Sequence, residues 1–491
     1  MGKFGKEVLS MDCYKNIIEK LRCEYSDRIA LMEVDDERNL RKYSYERFVK
    51  DIRKAATYIM QNEYNDQVVA IIGNKSYQWL VCAYACLYTD TAIFPIDPNL
   101  EKTELLDMCK KVGSKLILAD DVFIEDFVGE LQELHMVSMN DALDMEDQID
   151  RFDIKIDENK VICYMSSSGT TGRQKIAMFS HKNLMAPIRR GWPKVVAKDG
   201  RRMMWTLPFF HVGLLSLLCL FMGGNTLCVG RSPKYYFRDM KVFDIHELTM
   251  VPMLLDAVIR KMERGQAIQE IIGNQCTCIS CGAAPLRSDH IKMINDSGIY
   301  VVNNYGMTET SGLGTINILS KDNISKNESV GNINGHMEIA IKDGEIIMRG
   351  DGVMLGYYGD EKATEETIRD GWLYTGDLGY IDEDGFLYIK GRKKNVIITS
   401  SGENVLPEEI ENVFIKQGIA EEVCVYSKHN VITAEFYIGL KRTDKNLVKD
   451  AVKKYNADTP ASKNIRNIIF NEVGFEKTAT GKIIREKSEI F

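Results

Sequence analysis

The sequence predicts an α/β protein with a large N-terminal domain, built of layered α/β subdomains plus an antiparallel β section, and a small α+β C-terminal domain. Three observations support this prediction. The chain has 491 residues, which is longer than a domain with a single hydrophobic core usually is. Short apolar runs alternate with amphipathic stretches up to about residue 329. After that residue the pattern changes to short alternating strands, and it changes again after about residue 390.

The first part of the chain is predicted to form parallel strands joined by helices. Short apolar runs bounded by polar residues or glycine are typical of buried strands. Alternation of such strands with amphipathic helices is typical of layered α/β folds. The predicted strands are residues 68–73, 92–96, 115–118 and 161–165, and the predicted helices are residues 77–88 and 102–112.

The section after residue 329 is predicted to be antiparallel. Residues 338–342 and 345–349 alternate in polarity on either side of Asp343-Gly344, a pair that is typical of tight hairpin turns. Asp384-Gly385 marks a second turn, between residues 380–381 and 386–389. An antiparallel β section therefore follows the α/β section.

The end of the chain has its own alternation of elements, which is enough for a small α+β domain. It follows the basic segment 391–394, so we divide the chain into domains at 1–391 and 392–491. The predicted elements are helices at residues 408–417 and 444–454 and strands at residues 422–426 and 434–440.

Composition excludes several classes of protein. Hydrophobic residues make up 45% and charged residues 27%, which excludes a largely disordered or collagen-like chain. A net charge of -8 gives no general attraction to nucleic acid or to an anionic membrane. Residues 1–10 lack the apolar segment of a secretory signal, so we expect a reducing, cytoplasmic compartment. The longest apolar run, residues 212–222, is too short for a transmembrane segment and predicts a buried helix.

The twelve cysteines raise the question of a metal site. Cys276, Cys278 and Cys281 form a C-x-C-x-x-C cluster. A structural zinc site normally has four ligands, and no fourth ligand stands nearby at ordinary spacing. We therefore interpret these cysteines as small apolar residues of a buried strand and loop.

The strongest chemical signal is the segment Ser166-Ser167-Ser168-Gly169-Thr170-Thr171-Gly172-Arg173-Gln174-Lys175. It directly follows the predicted strand 161–165. Glycines allow a close approach of the backbone N–H groups, hydroxyls add donors and the lysine adds a positive charge, so the segment predicts a phosphate cradle. It is not a Walker loop, because no Gly-Lys-Ser/Thr closes it. The alternative is an ordinary polar loop.

Three other segments carry weaker signals. Residues 303–310, Asn-Asn-Tyr-Gly-Met-Thr-Glu-Thr, offer an aromatic face and amides for a base, and hard oxygens of the kind that Mg²⁺ prefers beside phosphates. Asp377 in Tyr-Thr-Gly-Asp can chelate two ribose hydroxyls. Lys482 in Thr-Ala-Thr-Gly-Lys stands on a glycine turn. The respective alternatives are a turn, a common loop and a solvated tail lysine.

Together, in this order and spacing, these segments resemble the adenylate-forming superfamily of acyl-CoA synthetases, stand-alone adenylation enzymes and firefly-type luciferases. The resemblance extends from about residue 43 to residue 485. Segments 208–213, 282–286, 391–394 and 401–411 are similar to the family's acyl-pocket, adenine, hinge and post-hinge segments. The chain departs from the family in Gln174-Lys175-Ile176, where Pro-Lys-Gly is usual, and in Glu476, where a proline is common.

The resemblance implies a two-step reaction that uses ATP and Mg²⁺. A carboxylate attacks the α-phosphorus of ATP, and pyrophosphate leaves. A thiol, of coenzyme A or of a carrier protein's phosphopantetheine, then attacks the acyl carbon and releases AMP. It also implies a mobile C-terminal domain that carries the catalytic lysine.

The resemblance assigns a role to each matching residue. The β- and γ-phosphates are assigned to Ser167, Ser168, Gly169, Thr170, Thr171, Gly172 and Lys175. Adenine is assigned to Gly282, Ala283, Asn303, Asn304 and Tyr305, and ribose to Asp377 and Arg392. Glu309 is expected to bind Mg²⁺, Thr308 a phosphate, and Lys482 both the carboxylate and the α-phosphate. Lys394 is the expected hinge, and Gly402 is expected beside the thiol channel.

The acyl pocket is expected to include His211, Val212, Gly213, Met307 and Gly312. Adenylation domains for α-amino acids resemble one another in having an aspartate at the position of His211. Its absence disfavours amino acids, because an unpaired buried ammonium is costly. The apolar run after His211 favours an aliphatic or aromatic acid, and segment 391–405 looks most like that of bacterial fatty-acyl-CoA ligases.

Three alternatives stay open at this point. The acceptor is coenzyme A or a carrier protein. A luciferase-like oxygenase has the same fold, but no residue indicates it. A non-catalytic nucleotide-binding protein is disfavoured because Glu309, Asp377, Arg392 and Lys482 are all present.

Overall fold

The computed structural model describes most of the chain. The described residues are 13–35, 37–127, 134–167, 174–190, 200–211, 213–282, 286–312, 314–320, 325–333, 337–399, 402–429, 431–439, 444–477 and 483–485.

The α-helices are numbered in chain order. They are α1 (Tyr14–Tyr25), α2 (Tyr45–Gln61), α3 (Tyr77–Tyr88), α4 (Lys102–Val112), α5 (Asp121–Asp126), α6 (Met139–Leu143), α7 (His181–Arg190), α8 (Gly213–Met222), α9 (Tyr236–Phe243), α10 (Pro252–Glu263), α11 (Ile268–Ile272), α12 (Ser288–Asp296), α13 (Glu361–Thr367), α14 (Pro407–Lys416) and α15 (Lys445–Asp458). Short 3₁₀ turns include Thr308–Thr310 and Lys393–Asn395.

The strands are numbered in the same way. They are β1 (Ile29–Val34), β2 (Leu40–Ser44), β3 (Val68–Ile72), β4 (Ala92–Ile96), β5 (Ser114–Ala119), β6 (His135–Ser138), β7 (Val161–Ser167), β8 (Lys175–Ser180), β9 (Arg202–Trp205), β10 (Thr226–Val229), β11 (Glu247–Met250), β12 (Cys278–Gly282), β13 (Tyr300–Gly306), β14 (Gly314–Leu319), β15 (Gly331–Asn332), β16 (Glu338–Lys342), β17 (Glu345–Arg349), β18 (Gly356–Tyr357), β19 (Ile368–Arg369), β20 (Trp372–Ile381), β21 (Phe386–Arg392), β22 (Ile397–Ile398), β23 (Asn404–Val405), β24 (Glu422–Lys428), β25 (Val431–Tyr437) and β26 (Asn467–Asn471).

Two mostly parallel sheets form the α/β section. The first has the strand order β14-β13-β12-β11-β9-β10-β1-β2, and the second has the order β18-β8-β7-β4-β3-β5-β6. In the first, β10 and β11 are buried along their whole length, as strands of a parallel sheet that is covered on both faces must be. The predicted strands of the second sheet are confirmed to within two residues, and α3 and α4 agree with their predicted bounds at both ends.

The third sheet is antiparallel, as predicted, with the order β15-β21-β20-β17-β16. The predicted hairpin turn joins β16 to β17. Asp343 and Gly344 have φ of 52° and 78°, the left-handed conformation that a two-residue turn of this kind requires at both positions. The antiparallel section extends from the α/β section to Arg392.

The C-terminal elements form two small sheets, β22-β23 and β24-β25-β26, with α14 and α15 packed on them. Residues from Ile397 to Ile465 share an apolar cluster. Helix α14 contacts both β24 and the end of the antiparallel section at β21. The division of the chain after residue 391 stays a prediction.

The cysteines are all free thiols. Cys276, Cys278 and Cys281 are buried at and before β12, and burial raises the pKa of Cys276 to about 12. In the part of the chain that the structure describes, no group of three His, Cys, Asp or Glu side chains could hold a metal ion. None of the helices described above is both long and apolar enough to cross a membrane.

Candidate active site

Several predicted site residues lie at or near the carboxyl ends of strands in the two mostly parallel sheets. Ser167 ends β7, Gly282 ends β12, and Tyr305 lies next to the end of β13. Ligands of open α/β sheets bind outside these ends, because the loops that leave the strands can approach a ligand there. The turn Thr308–Thr310 follows β13 and contacts β7, so it joins the two sheets.

The phosphate cradle is described at its two ends. Ser167 and Lys175 face each other across β7 and β8, and Ser167 is buried. Residues 168–172 of the prediction lie outside the described residues. Strands β7 and β8 are thus paired up to Ser167 and Lys175, the residues on either side of the predicted cradle.

Lys175 is connected to Glu309 through Tyr357. The Lys175 amine lies 4.7 Å from the centre of the Tyr357 ring. The Tyr357 hydroxyl donates a 2.8 Å hydrogen bond to Oε1 of Glu309. Burial, and next the Glu309 carboxylate, raise the pKa of Tyr357 above its usual value, so this hydroxyl stays protonated and donates.

Glu309 is a buried carboxylate, 7% exposed. Its backbone oxygen accepts from the Met354 N–H at 2.9 Å, which fixes the turn against the following segment. Within the described residues no ion pair involves its carboxylate. A buried carboxylate without a cationic partner is costly unless it binds a cation, so Glu309 fits the role of a magnesium ligand.

The turn that carries Thr308 and Glu309 is held by its own side chains. The Met307 N–H donates a hydrogen bond to the Thr310 hydroxyl, and that hydroxyl donates one to the Met307 carbonyl. Ser311 and Gly312 then adopt left-handed φ of 55° and 74°. This reversal places Met307 and Gly312, two predicted acyl-pocket residues, at the two ends of one turn, where the Gly312 N–H donates to the Met307 carbonyl at 3.0 Å.

A second group of contacts joins Tyr305, Asp377 and Arg392. Asp377 is 5% exposed and lies opposite Arg392 in the β20–β21 pair. Its Oδ1 is 2.7 Å from Arg392 Nε, and its Oδ2 accepts from the Tyr305 hydroxyl at 2.7 Å. Burial, and next Asp377, raise the pKa of Tyr305 well above its usual value. Asp377 is thus oriented by both Arg392 and Tyr305.

Backbone contacts fix the loop around Asp377. The Thr375 hydroxyl donates to the Ile346 carbonyl at 2.7 Å and accepts from the Asp377 N–H at 3.0 Å. Arg392 also donates to the Thr375 carbonyl at 3.1 Å. Gly376 has φ of 72°, where a side chain would be strained.

Asn303 and Asn304 have different neighbours, because consecutive residues of a strand such as β13 face opposite sides of the sheet. Asn303 is buried and donates to the Ser329 carbonyl at 3.2 Å. Asn304 donates to the Ser280 hydroxyl at 2.7 Å, and its buried Oδ1 has no hydrogen-bond donor within the described residues. Asn304 is therefore the asparagine with an acceptor left for a ligand. Its neighbour Gly282 lies so close that a Cβ there would be 2.7 Å from the Asn304 carbonyl oxygen.

The predicted acyl segment follows β9. The loop from residue 206 brings His211 to the start of α8, where Gly213 contacts the Trp205 ring; a Cβ at Gly213 would be 2.4 Å from that ring. The His211 Nε2 is buried and lacks a hydrogen-bond partner in the described chain, and burial lowers the pKa of His211. Trp205, Phe209, Leu214 and Met307 belong to one apolar cluster.

Several predicted residues are exposed or lie outside the described residues. Val212, Ala283 and Lys482 lie outside the described residues. Lys394 lies exposed in the turn after Arg392, and Gly402 lies exposed between β22 and β23 with φ of 80°. Their roles, like those of every site residue, stay predictions.

Tyr357 is a site residue that the sequence analysis missed. It reaches Lys175 and Glu309 because β18 pairs with β8, with Tyr357 opposite Ala177. That pairing joins segments that are far apart in the chain, and no local motif signals it.

Comparisons with known proteins agree with this geometry. The model of the family described as "AMP-binding enzyme" matches residues 20–358. The 2-succinylbenzoate–CoA ligase of Bacillus cereus (strain Q1) is 30% identical over 375 residues, which cover 73% of this chain and 75% of the relative.

Solved structures share the fold. The anthranilate CoA ligase AuaEII in complex with anthranoyl-AMP superposes with a TM-score of 0.84 at 18% identity, covering 97% of this chain and 96% of the other. The O-succinylbenzoate coenzyme A synthetase (MenE) of Bacillus subtilis in complex with AMP has a TM-score of 0.82 at 22% identity, covering 96% and 98%.

Proposed function

This chain belongs to the AMP-binding enzyme family, and from that premise we propose that it is an ATP-dependent acid–thiol ligase that activates a carboxylic acid as its acyl-adenylate and transfers the acyl group to coenzyme A. One observation carries the proposal. Strand β13 and the turn after it connect the Tyr305–Asp377–Arg392 contacts to the Glu309–Tyr357–Lys175 contacts. Groups suited to a nucleoside and groups suited to its phosphates therefore lie along one continuous segment.

The first step joins the acid to AMP. A carboxylate oxygen bonds to the α-phosphorus of ATP as the bond from that phosphorus to the pyrophosphate oxygen breaks. Such transfers depend mainly on positioning and on neutralisation of charge. Ser167 and Lys175 hold the outer phosphates in this proposal, and Thr308 holds a phosphate oxygen from the turn after β13.

Glu309 is the proposed magnesium ligand. Tyr357 donates to one of its oxygens and so leaves the other available. Mg²⁺ bound at Glu309 supplies positive charge beside the phosphate oxygens. The contribution of the chain is to keep the Glu309 carboxylate oriented and buried at this position.

The nucleoside is held by residues of three strands. The unpaired Oδ1 of Asn304 is suited to accept from the amino group of adenine. Asp377 holds the ribose hydroxyls in this proposal, and the ion pair with Arg392 fixes its orientation. Lys482 is proposed to contact both the acid and the α-phosphate, where two negative groups must meet.

The acid is proposed to be apolar where it lies against the cluster of Trp205, Phe209, Leu214 and Met307. The sequence analysis favoured a fatty or other apolar acid. The relatives in Bacillus are named for an aromatic acid, 2-succinylbenzoate, and a similar fold binds anthranoyl-AMP. We therefore include aromatic acids beside fatty acids in the proposed substrate class.

Pyrophosphate release tests the proposal. The protein, ATP and Mg²⁺ are incubated with fatty acids of increasing length, benzoates and 2-succinylbenzoate. Release that requires one acid class supports an adenylating enzyme, and ATP binding without release for any acid indicates a non-catalytic nucleotide-binding protein.

A second measurement identifies the acceptor. Free coenzyme A is added to the reaction with the best acid, and AMP and thioester are measured. Acceleration of AMP release by coenzyme A supports the CoA ligase. Acceleration only by a phosphopantetheinylated carrier protein would identify the carrier-loading alternative.

A further inference from the structure

Lys75 is a cation whose amine is turned into the protein beside the proposed acyl pocket. It follows β3, at the carboxyl edge of the second sheet. Its amine donates to the Trp205 carbonyl at 3.1 Å and to the Tyr236 hydroxyl at 3.1 Å. The Tyr236 hydroxyl in turn donates to the Thr206 carbonyl at 3.2 Å, so both acceptors of the amine are neutral oxygens.

The charge of Lys75 is not balanced by the described chain. Other largely buried cations of this protein each meet a carboxylate: Arg53 contacts Asp147, Arg201 contacts Glu247, Arg231 contacts Asp239 and Arg485 contacts Glu411. Within the same described residues, Lys75 forms no ion pair. Burial lowers the pKa of its ammonium to about 7. A lysine kept for stability alone would be expected to have a carboxylate partner.

One N–H donor of the Lys75 ammonium has no acceptor within the described residues. An ammonium has three N–H donors. Two of them are used by Trp205 and Tyr236. An anionic oxygen that accepted the third would both complete the hydrogen bonding and balance the charge.

The surroundings of Lys75 indicate where that oxygen belongs. The ring of Trp205, whose carbonyl binds the amine, contacts Gly213 at the start of α8. Trp79, four residues after Lys75 in the chain, has its ring 5.4 Å from that of Phe209 in the proposed acyl segment. The amine is therefore connected through Trp205 to the segment that is proposed to bind the acid.

We propose that Lys75 binds a second carboxylate of the acid, remote from the carboxylate that is activated, so that the preferred substrate is a dicarboxylic acid with an apolar middle part. This inference rests on the proposed function and specifies its substrate. The apolar cluster would hold the middle of the acid, and Lys75 would select its far end.

Matched pairs of acids test the proposal. The first pair is 2-succinylbenzoate and 3-benzoylpropanoate, which is the same skeleton without the ring carboxylate. The second pair is dodecanedioate and dodecanoate. The ratio of kcat/KM for diacid over monoacid is measured by pyrophosphate release at saturating ATP and Mg²⁺, without coenzyme A. We expect the wild-type protein to favour the diacid in at least one pair.

The Lys75→Met variant should lower that ratio by roughly 30-fold or more, because a desolvated carboxylate loses its charged partner. Lys75→Arg keeps the charge and should restore part of the preference. Lys234→Met is the matched control, because Lys234 is an exposed cation two residues before Tyr236; its ratio should equal that of the wild type. The thermal unfolding midpoint of Lys75→Met is measured beside the kinetics, because this variant loses the hydrogen bonds to Trp205 and Tyr236.

Three results would overturn the proposal. One is a ratio that Lys75→Met leaves unchanged while monoacids still react. Another is a wild-type protein that favours the monoacid in both pairs. A third, measured separately by thioester formation with coenzyme A added, is an effect of Lys75→Met confined to the KM of coenzyme A, which would assign the amine to a phosphate of that thiol. Absence of pyrophosphate release with every acid would instead reject the proposed function, and this inference with it.

Discussion

At the scale of single residues, the Tyr357 hydroxyl has the most specific task at the site, because it connects the charge of Glu309 to the position of Lys175. We predict that Tyr357→Phe weakens the dependence of adenylation on Mg²⁺. Loss of a hydrogen bond to a carboxylate costs on the order of 2 kcal/mol, so we expect roughly a 30-fold higher Mg²⁺ requirement or a similar loss of kcat. Pyrophosphate release during a magnesium titration measures it.

The neighbouring tyrosine provides the control for this variant. Tyr358 packs edge-on against Tyr164, 5.4 Å between ring centres. Tyr358→Phe removes a hydroxyl from the same segment and should leave the magnesium titration unchanged. If Tyr357→Phe and Tyr358→Phe gave the same magnesium titration, the Tyr357 hydroxyl would have no specific role in Mg²⁺ binding.

Asp377 allows a prediction on the nucleotide. We predict that Asp377→Ala raises the KM for ATP about tenfold or more, and raises the KM for the acid much less, because the proposed partner is the ribose. Asp382→Ala is the control, since Asp382 belongs to the same hairpin but pairs with Lys326 at 2.7 Å. If the acid KM alone changed in Asp377→Ala, Asp377 would belong to the acyl pocket.

At the scale of elements, α14 anchors the end of the chain. Arg485 lies 2.7 Å from Oε1 of the buried Glu411 and donates to the Val425 carbonyl at 3.0 Å. Burial raises the pKa of Glu411, and the guanidinium of Arg485 opposes that rise. Because Arg485 is three residues after Lys482, this ion pair ties the segment of the proposed catalytic lysine to α14.

We predict that Arg485→Met destabilises the C-terminal elements by about 3 kcal/mol, because it leaves a buried carboxylate without its cation. Denaturant unfolding measures the free energy, and adenylation should fall together with it. The control is Lys463→Met, which removes a 3.7 Å surface pair with Glu409 of the same helix and should cost less than about 1 kcal/mol. Similar losses in both variants would contradict an anchoring role of Arg485.

At the scale of the whole molecule, the two proposed half-reactions require different groups beside the same acyl carbon. In the proposed reaction Lys482 contacts the acyl-phosphate centre during adenylation, and a thiol later attacks the same acyl carbon. We propose that the C-terminal domain rotates about Lys394 between the two steps. The segment is suited to this, because Lys394 lies exposed in a short 3₁₀ turn immediately after β21.

We predict that Lys394→Pro still releases pyrophosphate but loses most thioester formation, because proline fixes φ near −65° and restricts the hinge. Each half-reaction is measured separately, with acyl-adenylate supplied for the second. Lys394→Ala is the control for the side chain and should keep both steps. Normal thioester turnover in Lys394→Pro would show that Lys394 is an ordinary linker residue.

Gly402 gives a second test of the same motion. A Cβ at this position would have no atom of the described residues within 4 Å, so a larger side chain does not clash with them. Selective loss of thioester formation in Gly402→Leu would therefore indicate that this loop packs elsewhere during the second step. Gly402→Asn, which tolerates a left-handed φ, is the control for backbone strain.

The sequence alone determined the elements whose cause is local. The predicted hairpin of β16 and β17 has its predicted bounds, because Asp343-Gly344 adopts the turn and polarity alternates on both sides. Helix α3 begins at a serine whose hydroxyl accepts from the Trp79 N–H, so its start is also specified locally. The phosphate, nucleoside and metal residues were predicted from segments whose chemistry is contiguous in the chain.

Only the tertiary structure decided which side chains share a site and what charge each one meets. Tyr357 reaches Glu309 because β18 pairs with β8. The hydrogen bond of Asn303 to the Ser329 carbonyl distinguishes it from Asn304, which bonds elsewhere. Within the described residues Lys75 meets no carboxylate, and its amine instead contacts Trp205 at the end of β9 and Tyr236 of α9. Hydrogen bonds and desolvation depend on distances of a few ångströms between segments that are remote in the chain, and no local pattern encodes those distances.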